Sequence, residues 1–437
     1  MNEINLISEI IISDRSDTSE CIKLMAVGDI VPDTTESIVT ENIKQYIQSA
    51  DLAMANLEAP LTDGTDPIEK SGPLIKAKPS GASVLRDAGF HLVSIANNHI
   101  FDYGKKGLDQ TLFSCHTKGL DTVGAESNSM IARSPRQYNI KGIKLAIIAL
   151  TEREFSIADN NTAGAAELDP INAWHAITEA KANADLLIVS AHGGSELSPF
   201  PNPRLQRWYR FMVDIGASAV IGHHSHVIQG LEIYKGAPIL YGLGNFYFPD
   251  GYHASSVTRE GLLVILDIKK NEISKVALAL TCCEGKPKKV MLASGNRIND
   301  YRQIISIQSE IILDQKLLHE YWNHWCATCQ KGFTFNFMLA AFSLQSFSLF
   351  QFIRLIKKGS VSGAILILFI GVLKLIQSSA QRRKMFLRIK NLTMCPSHQD
   401  IFRTTIELRE LECGMQREAI QKKYDQLKTL RESNDLT

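Results

Sequence analysis

Six apolar segments in the first two-thirds of the chain run directly into polar residues of the types that bind divalent cations. A buried strand with polar side chains at its carboxyl end is the way in which open α/β sheets present a site. Asp, Glu, Asn and His together suit a hard or borderline divalent metal. Because all six segments carry these residue types, the sequence predicts one shared metal centre. The polar ends are Asp29, Asn56 with Glu58, Asn97 with Asn98 and His99, His192, His223 with His224 and His226, and Asn245.

The chain between Cys21 and about Lys286 alternates apolar runs with amphipathic stretches, which is typical of repeated βαβ units. Helical spacing predicts helices at Ser80–Ala88, Asn172–Asn183 and Arg204–Ile215. Pro170 and Pro203 mark two of the helix starts. The predicted strands are Ile22–Val27, Leu52–Ala55, Leu92–Ile95, Lys144–Leu150, Leu186–Ser190, Ala219–Ile221, Ile239–Tyr241 and Leu262–Ile268.

Composition divides the chain into three parts. Its length of 437 residues is sufficient for more than one domain and for a well-buried core. Residues 1–20 are predicted to be a polar leader or a loosely attached edge element. Residues 21–286 are predicted to form the α/β domain. Residues 287–437 are predicted to form a helical region that contains an apolar, basic hairpin.

Charge and cysteine content limit the partners and the compartment. A formal net charge of +1 argues against nucleic acid as a partner. The first apolar run is too short and broken for a signal peptide, and the eight cysteines form no regular framework, so we expect a cytoplasmic protein. Cys326 and Cys329, with Cys395 and His398, have zinc-ligand spacing, but the long apolar segment between the two pairs favours free thiols.

The segment from Lys331 to Gln399 contains no Asp or Glu but many Lys and Arg. Gly332–Ile353 is uncharged but only moderately apolar, and Ser360–Leu373 is shorter than the about 20 residues of a membrane span. A helical pair in peripheral contact with an anionic membrane would explain the missing acids. A buried hairpin would explain the apolarity equally well. We therefore expect a hairpin that is buried or peripherally attached to the membrane within residues 332–390, with a membrane-spanning hairpin as the alternative.

Six short motifs occur in a fixed order between Ile22 and Lys286, which is the greater part of the chain. They are GD at Gly28-Asp29, NLE at Asn56–Glu58, ANNH at Ala96–His99, HGG at His192–Gly194, GHHSH at Gly222–His226 and LGNF at Leu243–Phe246. The ordered series resembles the capsule synthesis CapA family, a poly-γ-glutamate capsule branch of the calcineurin-like metallophosphoesterase superfamily. The resemblance implies an α/β fold, a four-layer α-β-β-α sandwich of the metallophosphoesterase type, here followed by an all-α C-terminal region.

The resemblance also implies one or two divalent metal ions at the strand ends, with Mn, Fe and Zn equally suited to mixed nitrogen and oxygen ligands. The catalytic residue implied is His99, as a general acid or an anion-stabilising imidazole. His224 and His226 alternate by two, so an extended segment would point both rings to one side and His223 to the other. The implied metal ligands are Asp29, Glu58, Asn98, His192, His224 and His226. The residues expected to surround these ligands or to contact substrate are Asn56, Asn97, Asp102, Glu154, His223 and Asn245.

The function implied is a metal-dependent hydrolase of phosphoester or amide bonds in capsule, poly-γ-glutamate or other surface-polymer biosynthesis. Its expected partners are the polymer substrate and a membrane-associated polymer synthase. The alternative is a non-catalytic metal-binding assembly factor of such a synthase. Phosphoesterases of this superfamily usually carry D-x-H in the first motif, whereas Asp29 is followed here by Ile30 and Val31, which favours the alternative. A third hypothesis is a nucleotide phosphoesterase.

Overall fold

The computed structural model describes residues 6–12, 21–249, 258–328, 395–410 and 417–432, together with positions 383, 387, 390, 391 and 394. The strands are β1 (Leu6–Ile11), β2 (Ile22–Ile30), β3 (Leu52–Leu57), β4 (Leu92–Ser94), β5 (Asp121–Val123), β6 (Ala125–Glu126), β7 (Arg136–Ile140), β8 (Ile143–Thr151), β9 (Gly164–Ala165), β10 (Leu186–His192), β11 (Ala219–His223), β12 (Leu231–Tyr234), β13 (Ala237–Leu240), β14 (Asn245–Tyr247), β15 (Glu260–Lys269), β16 (Glu272–Glu284) and β17 (Lys289–Leu292).

Two sheets carry most of these strands. The first has the order β1-β16-β15-β2-β3-β4-β5, with β14 paired to β2 and β17 paired to β16. Its strands β2 to β5 run parallel, whereas β15 and β16 are antiparallel additions. The second sheet has the order β12-β13-β11-β10-β8-β7, in which β8, β10, β11 and β13 run parallel. Each sheet therefore presents the carboxyl ends of several parallel strands along one edge.

Helices connect the parallel strands and cover the outer faces of the sheets. Two of them begin as predicted, because Asp169 caps the helix that starts at Pro170 and Asn202 caps the one that starts at Pro203. The helices are α1 (Glu41–Gln48), α2 (Gly81–Ala88), α3 (Gly104–Thr117), α4 (Ser129–Ala132), α5 (Pro170–Lys181), α6 (Pro203–Asp214) and α7 (Asn296–Leu313), followed by residues 315–328, Pro396–Glu410 and Arg417–Glu432.

The core consists of layers on both sides of each sheet. Ile43, Leu85 and Leu108 of α1 to α3 pack with the first sheet, and Tyr209 and Met212 of α6 pack with the second. The alternate residues of the strands are buried as well, so both faces of each sheet are covered. This arrangement confirms the predicted α/β sandwich with helices following it.

The chain forms two compact units. The first comprises Met1–Ile68, Leu74–His324 and Cys413–Thr437 and contains both sheets; the second comprises Glu69–Pro73 and Trp325–Glu412. β1 lies inside the predicted leader, at the edge of the first sheet, and β17 lies beyond residue 286. The domain boundaries at residues 20 and 286 stay predictions.

Among the helices of the described ranges, none combines the length and the apolar character needed to cross a bilayer. The apolar stretches Gly332–Ile353 and Ser360–Leu373 lie outside the described residues, as does Cys329. The predicted hairpin within 332–390 and its membrane association stay predictions, and so does the cytoplasmic location.

Candidate metal centre

The candidate ligands lie where parallel strands of the two sheets end. Asp29 is near the end of β2 and pairs in register with Asn56 of β3, and Glu58 lies two positions after Asn56. His192 ends β10 and pairs in register with His223 at the end of β11. The sheet order therefore brings residues that are up to about 200 positions apart in sequence to one place, as the strand-end argument predicts.

The first group of donors consists of Glu58, His192 and His224. Their ligand atoms all lie within 4.8 Å of one another, and all three side chains are buried. His192 Nε2 is 3.1 Å from His224 Nδ1 and 3.6 Å from Glu58 Oε1. Asn98 Oδ1 is 3.1 Å from the same His192 Nε2, which places this amide oxygen beside the group.

The second group consists of Asp29, Glu58 and His226, and it shares Glu58 with the first. Its ligand atoms also lie within 4.8 Å of one another. His226 Nδ1 is 3.6 Å from Asp29 Oδ2, and His226 Nε2 is 3.8 Å from Glu58 Oε1. A carboxylate that belongs to two adjacent donor groups has the arrangement expected of a residue that bridges two ions.

The segment from His224 to His226, which we call the histidine loop, is not extended. The spacing of His224 and His226 had suggested an extended conformation. β11 ends at His223, and the next two histidines adopt left-handed backbone angles, with φ of +86° at His224 and +56° at His226. His223 was expected to face the core or to lie around the ligands, and its Nδ1 is 3.3 Å from Asp29 Oδ1. Left-handed residues break the alternation of a strand, so all three rings turn toward the carboxylates.

Amide side chains hold the donors in place. Asn56 Nδ2 donates to Asp29 Oδ1 at 2.8 Å and is 3.2 Å from His192 Nδ1. Asn245 Oδ1 is 2.9 Å from His226 Nδ1. Asn97 fixes the turn before His99: its Nδ2 donates to the carbonyl of Leu57 at 2.8 Å, and its Oδ1 accepts the His99 N–H at 3.2 Å.

His99 and Asp102 form a pair beside the donor groups. Nδ1 of His99 is 2.8 Å from Oδ2 of Asp102, and both side chains are buried. The same carboxylate oxygen accepts the N–H of Ile75 at 2.8 Å, which fixes its orientation. A carboxylate in this position can orient the imidazole.

Burial and the crowding of like groups determine the charge state of the imidazoles. Burial and the neighbouring rings of His224, His223, His226 and His99 hold the pKa of His192 well below its usual value. Burial lowers the pKa of His224 to about 4, although the Glu196 carboxylate acts in the opposite direction. Both rings are therefore neutral at pH 7, which is the form that binds a metal.

The carboxylate of Asp29 is held in its charged form. Burial would raise the pKa of Asp29, but the hydrogen bond and charge of His223, with contributions from His226 and Asn56, hold it below its usual value. A charged carboxylate inside a buried cluster of imidazoles is an arrangement that a bound cation stabilises.

Glu154 does not belong to either donor group, whereas Glu152, two residues earlier, contacts the His192 loop. Glu152 Oε2 accepts the Gly194 N–H at 3.1 Å, and Oε1 accepts Arg204 Nη2 at 2.5 Å. A Cβ at Gly193 would lie 2.6 Å from Glu152 Cγ, so this close approach requires glycine. Glu152 follows β8, and this position at a strand end could have indicated a site residue from the sequence alone. No local sequence pattern indicates its ion pair with Arg204.

The donor set fits a pair of divalent cations. It combines two carboxylates, three imidazoles and an amide oxygen, all of them buried. Mixed nitrogen and oxygen donors suit several first-row metals and do not select one of them. These residues could hold the metal that the sequence predicts.

The fold and this cluster define an α/β sandwich protein with a candidate dinuclear metal centre. The family model of the bacterial capsule synthesis protein PGA_cap matches residues 23–250. The capsule biosynthesis protein CapA of Bacillus anthracis is 32% identical over 289 residues, which cover 64% of this chain and 69% of that protein. The PGA biosynthesis protein CapA of Bacillus subtilis is 34% identical over 259 residues, which cover 56% of this chain and 67% of that protein. The chain belongs to the bacterial capsule synthesis family, which confirms the predicted resemblance.

More distant similarities were also found. A probable polyglutamine synthesis accessory protein of Mycobacterium tuberculosis is 27% identical over 45% of this chain and 55% of its own length. A solved structure from Thermus thermophilus covers 59% of this chain and 98% of its own, with a TM-score of 0.34 and 10% identity. Vps29 of Chaetomium thermophilum covers 62% of this chain and 96% of its own, with a TM-score of 0.27. Family membership rests on the sequence matches and not on these structures.

Proposed function

We propose that this protein is a metal-dependent hydrolase that cleaves a phosphoester or amide bond in the biosynthesis of capsule, poly-γ-glutamate or another surface polymer. The observation that carries the proposal is the shared position of Glu58 in two adjacent, buried donor groups. Buried carboxylates and imidazoles that converge in this way are costly without a cation to bind. The names of the Bacillus relatives supply the polymer context.

The residues of the site have two proposed roles: several would hold cations, and one would transfer a proton. Glu58, His192, His224 and Asn98 would hold one cation, and Asp29, Glu58 and His226 would hold the other. Divalent cations there would supply Lewis-acid activation of a water nucleophile and stabilise developing negative charge. Asn56 and Asn245 keep Asp29 and His226 in orientation through their amides.

His99 is proposed to be the general acid. Its Nδ1 faces the Asp102 carboxylate, and this contact stabilises the protonated imidazole. The protonated ring can then donate from Nε2 to a leaving group, whether the leaving group is an alkoxide or an amine.

Elemental analysis of the purified full-length chain tests the metal centre directly. We expect up to two divalent ions per chain. Hydrolysis should be lost in Asp29→Ala, Glu58→Ala and His224→Ala, with loss of both ions in Glu58→Ala and of one ion in each of the other two variants. His116→Ala, at an exposed position of α3, is the matched control and should bind metal as the unaltered protein does. A metal content equal to that of the unaltered protein in all three site variants would overturn the assignment.

The second candidate function is a non-catalytic assembly factor of a membrane polymer synthase. It is favoured by the first motif, where Ile30 and Val31 follow Asp29 and their aliphatic side chains offer no donor to the centre. A substrate screen with added Mn²⁺ against aryl phosphodiesters and γ-glutamyl amides separates the two functions. Turnover that His99→Gln removes supports the hydrolase. No turnover in any assay, together with co-purification of synthase subunits, supports the assembly factor.

A further inference from the structure

The loop that follows His226 packs against α7. This helix lies outside the part of the chain that the family model matches. A Cβ at Gly230 would lie 2.8 Å from the backbone of Gln308, so the loop approaches the helix as closely as glycine permits. Leu231 N–H donates to Ser309 Oγ at 3.2 Å at the end of the same loop. The position of the loop therefore depends on residues beyond 250.

Two buried side chains converge on one carbonyl in this loop, that of Ile228, two residues after His226. Gln308 Nε2 donates to it at 3.0 Å, and Arg431 Nη2 donates to it at 2.6 Å. Gln308 Nε2 also donates to the carbonyl of Pro199 at 2.7 Å, in the loop between His192 and α6. Thus α7 and the helix Arg417–Glu432 both bind backbone that leads into the metal centre.

A buried ionic network anchors the end of the helix Arg417–Glu432. Arg297 forms a two-point ion pair with Glu260 at the start of β15, and Tyr301 donates to the same carboxylate at 2.6 Å. Arg297 also donates to the carbonyls of Leu430 at 2.6 Å and Arg431 at 2.9 Å. A cation that binds the last carbonyls of a helix stabilises that end and fixes its position.

The ionic network around Glu260 is also connected to His226 through a second backbone segment. Gly261, next to Glu260, forms a bridge with Gly244, and Asn245 follows Gly244. The Asn245 side chain contacts His226 Nδ1 and donates to the carbonyl of Thr258 at 3.1 Å. His226 therefore has support on two sides. One is the loop that Arg431 binds, and the other is the Asn245 amide, whose segment pairs with the residue next to Glu260.

We propose that Arg431, assisted by Gln308, is a positioning residue for the metal centre: it fixes the loop that presents His226 to its ion. The proposal rests on the proposed function, because it assigns His226 to a bound cation. It adds that the C-terminal helix, which the family match does not include, sets the affinity of that ion.

The test is the binding of Mn²⁺ to the full-length chain by calorimetry, together with the visible absorption spectrum of the Co²⁺-loaded protein. Arg431→Met should weaken binding at one of the two sites about 10-fold and alter the Co²⁺ bands, because groups that orient ligands typically change metal affinity by about 10- to 100-fold. Arg431→Lys, which keeps one cationic donor, should restore part of the affinity. Lys423→Met, at an exposed position of the same helix, is the matched control.

Gln308→Met provides an independent test in a variant that keeps the ionic network intact. It should weaken the same site, since it removes the other donor to Ile228. If the unaltered protein binds no Mn²⁺, the proposed metal centre is wrong. If the unaltered protein binds Mn²⁺ and either folded variant, Arg431→Met or Gln308→Met, binds it within 2-fold with unchanged Co²⁺ bands, the positioning role is wrong and the centre stands.

Discussion

Asp102 holds the His99 imidazole through a buried side-chain contact, in which Oδ2 lies 2.8 Å from Nδ1. The same oxygen accepts the Ile75 N–H, so the carboxylate has little freedom to leave the ring. This geometry fixes the imidazole with Nε2 directed away from Asp102. The arrangement suits proton donation at the edge of the metal centre and leads to the first prediction.

Replacing His99 by Gln should lower kcat by about 10²- to 10⁴-fold, the usual contribution of general acid catalysis. Asp102→Asn should cause a smaller loss, because the ring remains but its protonated form loses the carboxylate partner. Metal content should stay at the level of the unaltered protein in both variants. Steady-state rates on the substrate found in the Mn²⁺ screen, with elemental analysis of the same samples, provide the measurement. Full activity in His99→Gln would exclude the acid role.

The shared position of Glu58 predicts a pattern of metal stoichiometry. His192→Ala should remove the ion of the first group, and His226→Ala should remove the ion of the second. Glu58→Gln should weaken both, since its carboxylate belongs to each group. After dialysis, His192→Ala and His226→Ala should each retain one ion per chain, and Glu58→Gln should retain none. A Glu58→Gln protein that keeps two ions would show that this residue does not bridge.

The positions of the donors could be predicted from the sequence because they depend on a local rule. Asp29 and His192, for example, each follow an apolar run, and parallel strands bring such ends together. The conformation of the histidine loop could not be predicted in this way. Left-handed angles at His224 and His226 are imposed by tertiary contacts, which the spacing of residues does not encode.

Other parts of the site depend on contacts between residues far apart in sequence. The antiparallel strands β15 and β16 complete the first sheet, yet of the two only β15 was predicted, because β16 carries no distinct period in the sequence. Arg431 reaches Ile228 across 203 positions. No local pattern in a charged, helical tail distinguishes this arginine from the exposed lysines around it.

The metal-free protein should lose stability as the pH falls from about 7 to 5. The pKa of His224 is about 4 in the folded chain against 6.5 for the free side chain, so the unfolded chain binds the extra proton first. Stability is therefore fully present above pH 6.5 and decreases as the pH falls toward 4. The His224 contribution amounts to about 2 kcal/mol between pH 7 and 5. Asp29 acts only below its ordinary pKa of 3.8, outside this window.

Urea unfolding at pH 7 and at pH 5, with chelator present, measures this effect. His224→Gln should make the pH dependence shallower, and His116→Ala, at an exposed position, should leave it unchanged. A metal-free protein that is equally stable at both pH values would contradict the neutral, buried state of His224.

Gly28 provides a test of how closely the backbone must pack beside Asp29. A Cβ at this position would lie 1.8 Å from the carbonyl oxygen of Gly244, the same oxygen that accepts the Asp29 N–H at 3.1 Å. Gly28→Ala must therefore push apart β2 and the segment that leads to Asn245. We expect a loss of about 3 kcal/mol in the free energy of unfolding, the upper range for overpacking.

Gly236→Ala is the matched control for Gly28→Ala. Gly236 has a φ of +82° and no atom within 4 Å of its would-be Cβ, so the substitution introduces backbone strain of about 1–2 kcal/mol without a clash. Gly28→Ala should also weaken Mn²⁺ binding, because it displaces Asp29 and Asn245 together, whereas Gly236→Ala should bind Mn²⁺ normally. Equal metal affinity in the two variants would mean that the contact between Gly28 and Gly244 does not set the geometry of the centre.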